Sequence, residues 1–131
     1  MSGYVIDSSA LLAVALGEAD AASFVERLVE PVRKVVNAAT LFEAAIAAER
    51  RAGIEGRERL DRLVERVGPE VVPFSQELLG WAREAFRRFG KGRHPAGLNL
   101  GDCIAYATAR HEVLPLLFKG DDFPRTDIEP A

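Results

Sequence analysis

Tyr4-Val5-Ile6-Asp7-Ser8-Ser9-Ala10-Leu11-Leu12 sets an apolar run, an acid, two hydroxyl residues and an alanine- and leucine-rich stretch in direct succession. The run Tyr4-Val5-Ile6 reads as a short buried strand. Ser8 or Ser9 is placed to cap a helix that continues to about Gly17, where glycine stops it. A strand passing straight into a helix is the first half of a βα unit, and the chain repeats the pattern.

Ala19 to Glu30 reads as a second helix, ended by Pro31, and the β-branched stretch Val32 to Val36 as a strand. Thr40-Leu41-Phe42-Glu43 has the spacing of a capping box and opens a helix to about Ala52. Gly53 and Gly56 break it, and Glu55 to Val67 forms another, with Leu60, Leu63, Val64 and Val67 on one face. Val71-Val72 is a strand, and Ser75 caps a helix to Phe89. Gly90 to Leu98 is a basic, glycine-rich loop; Gly101 to His111 is helical; Pro115 to Phe118 is a strand, followed by a turn at Lys119-Gly120-Asp121-Asp122-Phe123. This alternation implies an α/β fold with a parallel-type central sheet of four to five short strands flanked by helices on both faces. In such sheets ligands gather at the carboxyl ends of the strands.

The length of 131 residues suits one domain spanning 1–131, and 48% hydrophobic with 28% charged residues suits a globule that needs no staples. Cys103, the single cysteine, cannot close an internal disulfide, which favours a reducing, cytoplasmic setting. One cysteine and two histidines cannot assemble a zinc cluster. No basic segment precedes an apolar run at the N-terminus, so no signal peptide is expected. The apolar run Ala10 to Leu16 is far too short to cross a bilayer, so no membrane association is expected.

Four acids stand at the ends of predicted strands or the starts of predicted helices: Asp7, Glu43, Asp102, and one of Asp121 and Asp122. Each has an ordinary explanation. Asp7 can cap the first helix, Glu43 can be the reciprocal partner of Thr40, Asp102 complements a helix dipole, and Gly120-Asp121-Asp122 is common turn chemistry. Together they converge on one edge of the sheet, where carboxylates raise each other's pKa unless a cation neutralises them. A hard divalent ion with oxygen ligands resolves that conflict and suits phosphoryl chemistry, which then needs no protein nucleophile.

Other catalytic sets find little support. The chain has no G-x-S-x-G elbow and no P-loop. Ser8 and Ser9 lack an evident histidine partner, and Cys103 on an apolar helix reads as core. His94 and His111 form a conceivable metal-free acid–base pair, although His94 lies in a loop and His111 at a helix end that favours a cation in any case.

Several segments resemble those of PIN-domain ribonucleases, and in particular the VapC toxins of toxin–antitoxin pairs. Val5-Ile6-Asp7-Ser8-Ser9-Ala10-Leu11-Leu12 resembles their opening motif, and Asn37-Ala38-Ala39-Thr40-Leu41-Phe42-Glu43 the segment with their second acid. Gly97-Leu98-Asn99-Leu100-Gly101-Asp102-Cys103 with Ala105-Tyr106-Ala107 resembles the third, and Pro115 to Phe123 with Thr126-Asp127-Ile128 the C-terminal motif. The resemblance implies a single PIN-like domain that cleaves RNA by metal-activated water, with magnesium or manganese as cofactor. It implies that Asp7, Glu43, Asp102 and Asp122 are catalytic and hold the metal. Ser8, Asn99 and Asp121 support them, Ser8 as the small hydroxyl residue of the metal site and Asp121 as second choice for the fourth acid. It further implies a homodimer and a cognate VapB-like antitoxin, with the helices at 8–17, 19–30 and 40–52 supplying the antitoxin's groove.

Net charge is −3, which weighs against a broad polyanion-binding surface, but the charge is unevenly spread. Arg83, Arg87, Arg88, Lys91, Arg93 and His94 crowd the stretch just before Asp102. Arg87, Lys91 and Arg93 are the expected RNA-phosphate contacts, against the alternative of a solvated face balanced by Glu77 and Glu84. The Arg50 to Arg66 group is interleaved with acids and reads as helical charge pairing. Aromatic residues make up only 8%, too few for a stacking platform, so RNA shape and a few exposed bases are the expected determinants. The competing readings are a non-catalytic RNA- or protein-binding module, a housekeeping PIN nuclease, and an aspartyl-phosphate phosphatase. The last usually requires a second aspartate where Ser9 stands.

Overall fold

The computed structural model describes residues 3–131. Strand β1 (Gly3–Ile6) is central, and its Val5 and Ile6 are fully buried because both faces of the sheet are covered. It pairs in parallel with β2 (Arg33–Asn37) on one side and with the short β4 (Leu116–Leu117) on the other. β3 (Glu70–Val72) adds to β2, giving the all-parallel order β3-β2-β1-β4. Four strands therefore meet the expected four to five.

Helices α1 (Ser8–Ala15), α2 (Ala21–Leu28) and α3 (Ala38–Val67) follow the first two strands; α4 (Gln76–Phe89) and α5 (Leu100–Glu112) precede β4. One apolar layer packs Leu11, Leu12, Ala44, Ala48 and Leu60 of α1 and α3 against Tyr4, Ile6 and Val36. The other packs Leu78, Ala82 and Ala85 of α4 with Tyr106 and Ala109 of α5 against Val5, Val35 and Leu116. Alternating residues of β1 thus face opposite layers, as a pleated strand requires.

The structure corrects two local expectations on α3. The helix begins at Ala38, because Asn37 caps it by accepting from the Ala39 N–H at 2.9 Å. Thr40 is therefore inside the helix and buried, and no capping box joins it to Glu43. Gly53 does break the helix, with φ 59° and ψ −145°. Gly56 does not: it lies in the returning helical arm, where an added Cβ would fall 2.3 Å from the Ala48 carbonyl oxygen. Its absent side chain lets the two arms of α3 touch.

Candidate active site

Asp7 ends β1 and caps α1. Its Oδ2 accepts from the Ser9 N–H at 3.1 Å and the Ser9 hydroxyl at 2.5 Å. A cap residue reaches the second residue into its helix, so Ser9 is the hydroxyl that supports Asp7. Ser8, the expected supporter, is buried in the first turn. Only 4% of Asp7 is exposed. Burial pushes its carboxyl up to about 7 against the pull of the two Ser9 bonds, and the charges of Asp102 and Glu43 push in the same direction.

Glu43 projects from the second turn of α3 toward the first turn of α5. A Cβ on Gly101 would lie 1.9 Å from its Oε2, so glycine at 101 is what makes room for this carboxylate. Its Oε1 is buried without a hydrogen-bond partner, an uncommon and costly condition for an acceptor. The sequence offered no direct signal for this fit, which joins residues from different elements.

Asp102 has two roles at once. Its Oδ2 accepts from the Asn99 N–H at 3.1 Å while Asn99 Oδ1 accepts from the Asp102 N–H at 2.9 Å, a complete capping box. Asn99 thus supports the site by fixing the start of α5. Burial raises the Asp102 pKa against the Asn99 bond, with Asp122 and Glu43 adding to the rise. Asp122 lies exposed at the head of a short 3-10 turn, Phe123–Arg125. Asp122, not the neighbouring and equally exposed Asp121, is the acid whose field reaches Asp102.

The acids are linked in sequence: Glu43 and Asp102 act on Asp7, and Glu43 and Asp122 act on Asp102. Every donor is a hard oxygen, Glu43 brings an unpartnered buried acceptor, and Gly101 keeps its space clear. That set fits a hard divalent cation. As placed, no three acids, histidines or cysteines among the described residues are close enough to ligate one ion, so sharing it requires the side chains to converge further.

The histidines do other work. His94 Nδ1 accepts from the Ala96 N–H at 3.0 Å, and the ring stands edge-on to Phe89. His111 bonds Glu77 and Glu112 at the surface. Burial pushes the Cys103 thiol up to about 11, consistent with a core role.

The expected RNA contacts divide. Arg87 and Arg93 border a groove of about 840 Å³ between α4 and α5 that reaches Leu100, beside the acids. Arg87 also pairs with Glu84, and Arg93 lies over the Phe86 ring at 5.1 Å. Lys91 is exposed but outside that lining. A second hollow of about 800 Å³, between α3 and α5, is lined by Phe42, Glu43, Ile46, Arg50, Arg51 and Leu100 among others. Arg50 and Arg51, read from sequence as helix charge pairing, therefore border the site as well. The apolar residues of α1 expected to line a partner's groove are mostly core: Ala10, Leu11, Leu12, Ala13 and Ala15 are all buried. The other two expected segments do expose large apolar side chains, Val29 in 19–30 and Phe42 and Ile46 in 40–52, and Leu100 at 79% exposed lies outside them. No helix among the described residues is long and apolar enough to cross a membrane.

Residues 4–129 match the PIN domain model. The chain is 41% identical over 124 residues to ribonuclease VapC30 of Mycobacterium tuberculosis, covering 95% of each chain. It is also 41% identical to ribonuclease VapC of Mycolicibacterium smegmatis, covering 95% of this chain and 96% of that one. Among solved structures it resembles the Mycobacterium tuberculosis toxin VapC20, which cleaves the sarcin–ricin loop, with a TM-score of 0.79 at 17% identity over 99% and 98% of the two chains. It also resembles VapBC2 of Rickettsia felis bound to promoter DNA, with a TM-score of 0.73 at 16% identity over 98% and 96%. With the acids of all four motifs gathered at one sheet edge and this likeness running nearly end to end, the chain belongs to the PIN-domain family, among its VapC ribonucleases.

Proposed function

We propose that this chain is a magnesium- or manganese-dependent endoribonuclease, the toxin of a toxin–antitoxin pair. One observation carries the reading: Asp7 is buried with its carboxyl pushed up, in the field of Glu43 and Asp102, and Asp102 in turn lies in the field of Asp122. Bound by these four carboxylates, a hard divalent cation would supply positive charge to the phosphodiester and acidity to a water molecule. Ser9 orients Asp7, the Asn99 box holds Asp102, and Gly101 gives Glu43 its place. Arg87 and Arg93, with Lys91 further out, are the residues to hold RNA phosphates on the approach to Leu100 and Asp102.

A VapB-like antitoxin as partner is supported by the toxin–antitoxin complexes among the structural relatives. Exposed Phe42, Leu79, Phe86 and Leu100 support a homodimer, since large apolar groups left in water favour association. A buried lone cysteine accords with a reducing cytoplasm.

The test is cleavage of total cellular RNA by the purified chain with magnesium, with manganese and with chelator, alongside Asp7→Asn. Discrete fragments that require metal and fall about a thousandfold in the variant are expected. A folded, metal-binding sample that cleaves nothing would instead favour the non-catalytic module.

A further inference from the structure

We propose that Lys119 is a positioning residue that clamps the segment bearing Asp122 onto the junction between α1 and α2. The inference rests on the nuclease reading above and names a device that holds the exposed side of its site.

The segment has reason to drift. β4 contributes only Leu116 and Leu117 to the sheet, after which Lys119, Gly120, Asp121 and Asp122 are all exposed. Gly120 takes φ 117°, a conformation that side chains rarely adopt. Asp122 and Asp102 carry like charge, so an untethered Asp122 lowers its energy by swinging outward.

Lys119 opposes this by two routes. Its backbone N–H donates to Ser9 Oγ at 2.9 Å, the same oxygen whose hydroxyl donates to Asp7 Oδ2. Its Nζ donates to Glu18 Oε1 at 2.7 Å and Asp20 Oδ1 at 3.0 Å, two acids beyond the end of α1. Glu18 also meets Arg51 of α3 at 3.5 Å, which ties the anchor to a third element. At the other end of the segment, Phe123 is buried against Phe118, and Arg125 donates to the Pro95 carbonyl at 3.1 Å. Residues 120–122 are thus held from both sides. Exposed ion pairs contribute little to global stability, so the consequence lies in local order at the site.

Coulomb's law gives the test its sign. If Lys119 acted only through its charge, removing that charge would strengthen cation binding by the neighbouring acids. If it positions Asp122, removing the side chain weakens cation binding. Full-length wild type, Lys119→Met and Lys119→Arg would be titrated with Mn2+ alone, without RNA. Amide hydrogen exchange at 120–122 would be measured in metal-free buffer for these and for the double variant Glu18→Gln, Asp20→Asn. Expected are about tenfold weaker Mn2+ binding in Lys119→Met and restoration by Lys119→Arg, while the double variant, whose lost negative charges weaken cation binding in any case, is read by amide exchange alone. Exchange at 120–122 should quicken, with Tm moving by no more than about 2 °C. Tighter or unchanged Mn2+ binding in Lys119→Met, or unaltered exchange, would overturn the clamp. A wild type that binds no Mn2+ overturns the nuclease reading instead, and the exchange comparison still decides whether the clamp exists.

Discussion

Asp7 and Asp122 carry the same side chain at the same edge of one sheet, in opposite surroundings. Asp7 sits at the end of the central strand, almost without solvent, held by Ser9 from within its own helix. Asp122 sits past an edge strand, in water, on a segment secured by contacts from distant parts of the chain. The contrast teaches how one cluster divides its labour. The buried acid has a strong drive to be neutralised, by a proton or by a cation. The exposed acid lacks that drive and depends on the contacts of its segment for its place.

The comparison can be broken at its buried end first. In metal-free protein burial holds the Asp7 carboxyl up at about 7 when folded, against its ordinary value of 3.8 when unfolded. The native state therefore binds more protons between these values, and stability falls as pH rises from about 4 through 7, then levels off. Denaturant melts across that range should show a loss of a few kcal/mol, and Asp7→Asn should flatten the curve. Equal slopes for both proteins would place the proton elsewhere.

Gly101→Ala is next. Its methyl group would occupy the position of the Glu43 carboxylate, so Glu43 must turn away. Metal affinity and cleavage should fall by roughly a hundredfold, seen in titration and turnover alike. At the exposed end, Asp122→Asn should cost roughly tenfold to thirtyfold in turnover while Asp121→Asn stays within about twofold. Single-turnover cleavage of a defined RNA separates them, and equal losses would mean that both acids serve.

The smallest effect is expected farthest from the acids. Arg87→Ala with Arg93→Ala should weaken RNA binding by several-fold and reduce the slope of log K against log salt by about one to two. Arg87 begins in a pair with Glu84, which lowers what it has to give. Binding unchanged at every salt concentration would move the phosphate path to Arg50 and Arg51 in the second hollow.

Much of this was readable along the chain, and the errors share a cause. The Ser75 cap, the glycine break at Gly53 and the Asp102 helix start are local, and each depends on residues a turn apart. The Thr40–Glu43 spacing imitated a capping box, but Asn37 one turn earlier claimed the cap, and Glu43 was free to face α5. The cap expected of Ser8 or Ser9 falls on Asp7 itself, which accepts from Ser9, whereas Ser8 was the hydroxyl expected at the site.

By itself the sequence determined the alternation of strand and helix and the parallel sheet, because periodicity, caps and breakers act over a few residues. Only the tertiary structure decided that Gly101 makes room for Glu43, that Ser9 rather than Ser8 serves Asp7, that α1 is core, and that Lys119 reaches Glu18 and Asp20. Apart from the local Ser9–Asp7 cap, those contacts join residues far apart in the chain, and their partners are selected by how the layers pack on the sheet, which no local pattern encodes.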